Sequence, residues 1–352
     1  MSDYRAQFQQ LLENTYVSSL DSEELIIKKM TAFFDAVIPF IPEKLYRFRR
    51  MDEKGYSIEA FRSGTITLCK ASLFPDKYDS QVYIDNHKIK KELVRYLKEA
   101  MSSVLRDINR RNPMIKAEAA SKICYYKECG LSDQQIVEKV VEEEYAGYVS
   151  EIEGTLKERE PRFRDGDRTA RVACFTESIH SKFMWDVYAG GYSGFALEYN
   201  LRELFTKNLE QLQQVYVFPV IYSDTKPDMT EVEFNNYFLE YCTIHEEMKA
   251  LRPMLHKIPF NLISPFMPFL YKDRREYEHE REWRMLFFSP ELSGDYVSVP
   301  DRHCITGIYY GPDTEDKDIA LLHAIAKAKG IEEYKVSLDN ESRRYDLRVI
   351  EY

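Results

Sequence analysis

Two glutamates spaced two apart, where a charged stretch becomes apolar, are the first residues in this chain with evident chemical potential. They lie in Tyr277-Glu278-His279-Glu280-Arg281-Glu282-Trp283-Arg284-Met285-Leu286-Phe287-Phe288. In an extended chain alternate side chains share a face, so Glu280, Glu282 and Arg284 fall together and Arg281 and Trp283 fall opposite. Paired carboxylates can move a proton or stabilise developing positive charge. With Arg284 on their face they can also close into a structural ion pair. The run from Trp283 to Phe288 fits a strand entering a core.

Few other stretches carry groups suited to face that pair. Lys44-Leu45-Tyr46-Arg47-Phe48-Arg49-Arg50 alternates aromatic and basic residues. As a strand it presents Arg47 and Arg49 on one face, with Tyr46 and Phe48 on the other. Guanidinium groups bind phosphate in a forked geometry, and they also guard sheet edges as plain solvated charges. Val172-Ala173-Cys174-Phe175-Thr176-Glu177-Ser178 offers Thr176 and Ser178 beside Cys174 on one strand face, or as caps for the following turn. A short helix then carries Trp185 and Tyr188 three apart, a spacing that core packing explains by default. In the turn-rich loop 72–80, Asp76 and Asp79 are turn formers with functional potential.

The pattern of helices and strands supplies a frame for these residues. Asp21 or Ser22 caps an amphipathic helix through Leu25, Ile26, Met30, Phe33, Phe34 and Val37, which Pro39 and Pro42 end. Residues 57–62 form a short helix stopped by Gly64, and 65–69 a strand. From about 84 to 160 the pattern is helical and highly charged, with a capping box at Ser132 and Gln135. Residues 158–168 make a polar connection. Strands at 171–176 and 194–199 flank the Trp185 helix, and 215–222 is a strand with a bulge or edge at Pro219. Helical material comes next at about 230–257. A strand at 304–312, a helix at 315–329 stopped by Gly330, and strands at 334–338 and 345–350 complete the chain. The expected organisation is an N-terminal helical segment, 1–43, then one α+β domain, 44–352, with a helical insertion at about 84–160.

Composition excludes several classes. Of 352 residues, 44% are hydrophobic and 14% aromatic, so the chain is globular rather than disordered. A formal net charge of -10 opposes broad non-specific nucleic-acid binding, which needs surplus Lys and Arg against phosphate. Cys69, Cys124, Cys129, Cys174, Cys242 and Cys304 are scattered without paired C-x-x-C spacing, so no metal is expected. His245-Glu246 begins H-E-x-x-H, but Lys249 stands where the second histidine belongs. There is no P-loop, no G-x-G-x-x-G and no G-x-S-x-G elbow. The first residues lack a signal-peptide profile and no apolar run suits a bilayer, so a cytoplasmic protein without a membrane partner is expected.

The order of these motifs resembles the bacterial domain-of-unknown-function 2971 family. Its counterparts here are Leu45-Tyr46-Arg47-Phe48-Arg49, Phe74-Pro75-Asp76-Lys77-Tyr78-Asp79, Cys174 to Ser178, Met184-Trp185, Tyr188-Ala189, Gly194-Phe195 and Glu280-Arg281-Glu282-Trp283-Arg284. More distantly, an early-strand arginine, a hydroxyl-bearing middle strand and Glu-x-Glu before an apolar strand resemble the ADP-ribosyltransferase superfamily. Glu177 departs from that pattern by interrupting the hydroxyl segment.

That likeness implies an α+β fold of mixed, mainly antiparallel sheets, to which the residue pattern adds an N-terminal helix and a helical insertion that stretches the usual spacing. It implies NAD as substrate, with cleavage of the nicotinamide–ribose bond and transfer of ADP-ribose to an unknown macromolecular acceptor, as in a toxin or phage-defence effector. The roles would fall on Glu282 and Glu280 as catalytic carboxylates and Arg47 or Arg49 on the diphosphate. Thr176 and Ser178 would buttress the carboxylate, and Trp185 or Tyr188 would stack on nicotinamide. The alternative is a catalytically inert sensor or binding module acting with a defence partner.

Overall fold

A computed structural model of the chain describes residues 4–17, 21–109, 117–144, 146–159, 170–206, 213–235 and 260–352. The connection expected at 158–168, most of the helix expected at 230–257, and His245, Glu246 and Lys249 fall largely or wholly outside them.

The N-terminal segment holds two helices. Helix α1 (Tyr4–Glu13) leads through a two-residue strand β1 (Tyr16–Val17) to α2 (Glu23–Val37), which Ser22 caps by accepting from the Leu25 amide at 3.2 Å. Phe8, Leu12, Phe33, Phe34 and Val37 drive both helices into the same apolar core as the sheet. Strand β2 (Leu45–Arg49), helix α3 (Tyr56–Ser63) and strand β3 (Thr65–Cys69) come next, with Gly64 ending α3 at a φ of 68°.

The helical insertion comprises α4 (Asn86–Asn109), α5 (Ala117–Glu128), α6 (Asp133–Glu144) and α7 (Ala146–Arg159). The capping box opens α6: Ser132 accepts from the Gln135 amide and Gln135 from the Ser132 amide. Ile89, Leu93, Leu97, Val141 and Ile152 form one small core of the insertion, and Met101, Ile123, Ile136 and Val140 another. These cores are distinct from that of the sheet, as expected where helices bury faces mainly against one another.

The remaining strands are β4 (Ala170–Thr176), β5 (Phe195–Tyr199) after helix α8 (Lys182–Tyr188), β6 (Gln214–Pro219), β7 (Ile221–Ser223), β8 (Phe260–Asn261) and β9 (Tyr271–Asp273). Then come β10 (Glu282–Phe288), β11 (Tyr296–Pro300), β12 (Ile305–Tyr310), β13 (Glu332–Leu338) and β14 (Leu347–Glu351). Eight of these join β2 and β3 in one ten-stranded, mostly antiparallel sheet, with β12 and β13 parallel. The fold is the α+β class expected.

The sheet branches at β4. Along one edge β4 pairs with β10 over its full length, and β10 carries β6 beyond it. The other edge is divided: β2 meets it where Tyr46 faces Thr176, and β3 where Cys69 faces Val172. One branch continues through β2, β5, β12, β13 and β14, the other through β3 and β11. A site opens where β2 and β3 part.

Candidate functional site

A cleft of about 300 Å³ occupies this fork. Its lining includes Arg47 and Arg49 of β2, Cys174 of β4, Tyr188 of α8, Lys272 of β9, and Glu280 and Glu282. Of the groups singled out from sequence, Arg47, Arg49, Tyr188, Glu280 and Glu282 line this one cleft, and Thr176, Ser178 and Trp185 do not.

The two arginines are partly buried on one wall. Arg47 spans the fork: its Nη2 donates to the Thr67 carbonyl at 2.9 Å, and its guanidinium lies 5.6 Å from the Phe175 ring centroid. Its Nη1 is buried without a partner. Arg49 makes no ion pair among the described residues. Burial lowers the pKa of both, and that of Arg49 is pushed down to about 9 by burial and then by the like charge of Arg47. Two guanidinium groups with no ion pair among the described residues make this wall positive, and their forked donors match the chemistry of an anion.

The opposite wall is a chain of ion pairs. Arg284, fully buried, donates from Nη1 and Nη2 to the two Asp79 oxygens at 2.8 and 2.5 Å, and from Nε to Glu282 at 2.8 Å. Its Nη1 also reaches the Phe269 carbonyl at 2.8 Å. Lys272 Nζ bridges Glu280 at 2.6 Å and Glu282 at 3.0 Å, and lies 4.1 Å from the Tyr277 ring centroid. The Tyr188 hydroxyl donates to the other Glu280 oxygen at 2.8 Å. Across Asp79, Glu280, Glu282, Lys272 and Arg284, three acids meet two bases, so the wall keeps one net negative charge.

The electrostatics derive from that chain. Burial opposes ionisation of Glu282, but Arg284 and Lys272 outweigh it and hold the carboxyl well below its usual range. Burial likewise opposes the Lys272 charge, and Glu282 with Glu280 more than restores it. The Cys174 thiol is raised well above its ordinary value by burial and then by Glu282, so it is an inert thiol at neutral pH. Burial and then Glu280 raise Tyr188, which stays a protonated donor.

Local geometry differs from the extended form expected at 280–284. Residues Glu278–Glu280 form a single 3-10 turn, Arg281 is left-handed at φ 48° and ψ 48°, and the strand begins at Glu282. The Tyr222 hydroxyl takes the Glu282 amide at 2.6 Å, where a longer strand would have placed a ladder partner. Glu280 and Glu282 still reach the cleft, because the left-handed residue returns the chain to the face it left. A non-glycine residue in that conformation between two site carboxylates is locally strained.

The remaining candidates separate clearly. Thr176 stands behind the cleft, its hydroxyl donating to the Glu280 carbonyl at 2.6 Å, so it holds the glutamate's backbone. Ser178 accepts from the His180 amide at 3.2 Å as a turn cap and does not line the cleft. Trp185 is fully buried, donates to the Ile179 carbonyl at 2.8 Å and packs edge-on against Phe48. It too stays outside the cleft. Asp76 accepts from the Tyr78 amide at 2.8 Å and Asp79 is the Arg284 partner, so the loop supplies both a turn and a site residue.

Glu177 points to the far side of β10. It takes Arg281 at 2.6 Å, Arg5 at 2.6 Å, the Trp283 indole at 2.9 Å and the Tyr4 hydroxyl. The acid that interrupts the hydroxyl segment is thus an anchor away from the cleft. Lys272 was not legible as a site residue, since a lone lysine in Tyr271-Lys272-Asp273-Arg274 carries no spacing signal. Among the described residues no group of three or more His, Cys, Asp or Glu is arranged to hold a metal ion, and no helix is long and apolar enough to cross a membrane.

Fold and site define an α+β protein with a two-signed cleft at a branched sheet. A model of the family described as a protein of unknown function, DUF2971, matches residues 184–285 and supports the resemblance to that family. The matched span contains Tyr188, Lys272, Glu280, Glu282 and Arg284, and leaves out Arg47, Arg49 and Asp79. No curated protein and no solved structure matches the chain.

Proposed function

We propose that the cleft binds NAD as a substrate and that the protein is an ADP-ribosyltransferase-like enzyme, cleaving the nicotinamide–ribose bond. The observation that carries this is the convergence of Arg47 and Arg49 with Glu280 and Glu282 on one cleft. NAD is itself two-signed: its diphosphate suits the arginine wall and its cationic nicotinamide ring the acidic one. A cleft of about 300 Å³ is at the small end for ligand pockets, so it would enclose part of the dinucleotide.

In the reaction nicotinamide leaves with the bonding electron pair and positive charge develops on the ribose. The net negative charge of the Glu280, Glu282 and Asp79 cluster stabilises that charge, as carboxylates do in glycoside cleavage. Glu280 is placed to accept the proton of the attacking water or macromolecular hydroxyl, because a single cation and a neutral phenol hold it. Glu282, with two cations on it, supports rather than acts. A second reading, a sensor or binding module without turnover, is favoured by those same contacts, since both Glu282 oxygens are already taken.

The test is incubation of purified protein with labelled NAD and cell lysate, tracking free nicotinamide and labelled macromolecules. Glu280→Gln is expected to lower nicotinamide release by roughly 10²–10⁴-fold with folding unchanged. Arg47→Lys with Arg49→Lys should weaken NAD binding. Binding without release by the parent protein selects the sensor, and absence of both NAD binding and nicotinamide release overturns the NAD reading.

A further inference from the structure

We propose that Lys272 is a positioning residue, whose single ammonium holds Glu280 and Glu282 side by side as two carboxylates on the cleft wall. The inference deepens the proposal for this cleft and rests on it only for the identity of the ligand.

Both acids are buried, and both touch the same Nζ, at 2.6 and 3.0 Å. Two carboxylates sharing one site cannot both stay ionised cheaply without a counter-charge, and one of them takes a proton. Arg284 does not supply that charge to the pair as a whole. It is committed to Asp79 through two bonds and reaches only Glu282. Glu280 otherwise has the Tyr188 phenol, which donates a hydrogen bond but no charge.

Lys272 is itself fixed from several sides. The ammonium lies over the Tyr277 ring. Strand β9 pairs in parallel with β7, where Lys272 faces Tyr222, and the Tyr222 hydroxyl holds the Glu282 amide. The other groups facing the pair are the raised thiol of Cys174, the Arg47 and Arg49 wall across the cleft, and Arg5 behind β10 on the Glu282 carbonyl. Arg5 pairs with Glu177, whereas Glu280 pairs with Lys272. One ammonium therefore decides whether the wall facing a ligand carries two negative groups or one.

A lysine that merely filled space would be replaced without effect on charge. Lys272→Met is expected to make the acid pair take up one proton at neutral pH, whereas Lys272→Arg keeps the parent behaviour. The measurement is carboxyl ¹³C NMR of glutamate-labelled protein against pH. The parent should show no carboxyl of this pair titrating between about pH 5.5 and 8.5. Lys272→Met should show one there, and it should vanish in Lys272→Met with Glu280→Gln, which removes the like charge.

A carboxyl of the pair titrating in that window in the parent protein would overturn the proposal even if Lys272→Met failed to fold. So would a Lys272→Met spectrum identical to the parent. In an NAD assay the same variant should shift the pH profile of turnover and Lys272→Arg should rescue it. Failure of the NAD proposal shows separately, as no binding or release by the parent at any pH, and leaves the titration result standing.

Discussion

At the scale of single residues the site is held by charge more than by packing. Arg284 is enclosed, and its guanidinium exists as a cation there only because Asp79 and Glu282 balance it. Asp79→Asn leaves that cation with Glu282 alone. It is expected to lower stability by about 3 kcal/mol, the lower end for breaking a buried pair, because Glu282 still covers one side. Urea unfolding at neutral pH measures it, and a midpoint equal to the parent's would refute it. The pH dependence has a definite sign. The folded Glu282 carboxyl lies below its unfolded value, so its contribution is full above the ordinary carboxylate range and is lost as pH falls through and below it. Glu282 and Arg284 were legible as neighbours because strand alternation fixes which residues share a face, whereas Glu280 reaches the cleft from a turn that alternation did not announce. Asp79 and Lys272 were not, since an ion pair across 205 positions, or to an isolated lysine on a three-residue strand, leaves no local trace.

At the scale of elements, the cleft exists because β2 and β3 compete for one edge of β4. Register fixes where they part, and a tight glycine at the start of β5 fixes the end of β2. A Cβ on Gly194 would lie 2.1 Å from the Arg49 carbonyl and 2.8 Å from that of Ala189, both backbone atoms that cannot swing aside. Gly194→Ala is therefore expected to cost about 3 kcal/mol, the upper end for overpacking, and to displace Arg49. Thermal unfolding reads the first effect. Loss of anion binding, measured with NAD or ADP-ribose, reads the second at temperatures where the variant is folded. Most strands and caps were legible from alternation and from Ser, Gly and Pro punctuation: Ser22, Ser132, Gly64 and Gly330 each fall at the helix ends they announce. The Glu278–Glu280 turn was not, because the alternation that suggested a strand continues through it. The strand is ended there by a distant phenol, Tyr222, on the Glu282 amide.

At the scale of the whole molecule, the first helix is tied to the back of the catalytic candidate. Arg5 Nη1 donates to the Val220 carbonyl at 2.5 Å and the Glu282 carbonyl at 3.2 Å, and its Nη2 pairs with Glu177. Tyr4 stacks on Trp283 with ring centroids 5.8 Å apart and donates to the same Glu177. Glu177 also fixes Arg281, the left-handed residue between the two site glutamates. A change in α1 is thus transmitted through one carboxylate to the backbone that aims Glu280, although α1 never lines the cleft. Arg5→Ala removes the charged bonds and is expected to cost about 2 kcal/mol. Its more telling effect is local: amide exchange at Arg281, Glu282 and Trp283 should accelerate more than in the helical insertion, whose core is separate. Hydrogen exchange read out by mass spectrometry measures both regions in one experiment. Uniform acceleration would mean that α1 contributes only global stability. Acceleration confined to the Glu-x-Glu segment would make the N-terminal helix part of the machinery that shapes the cleft.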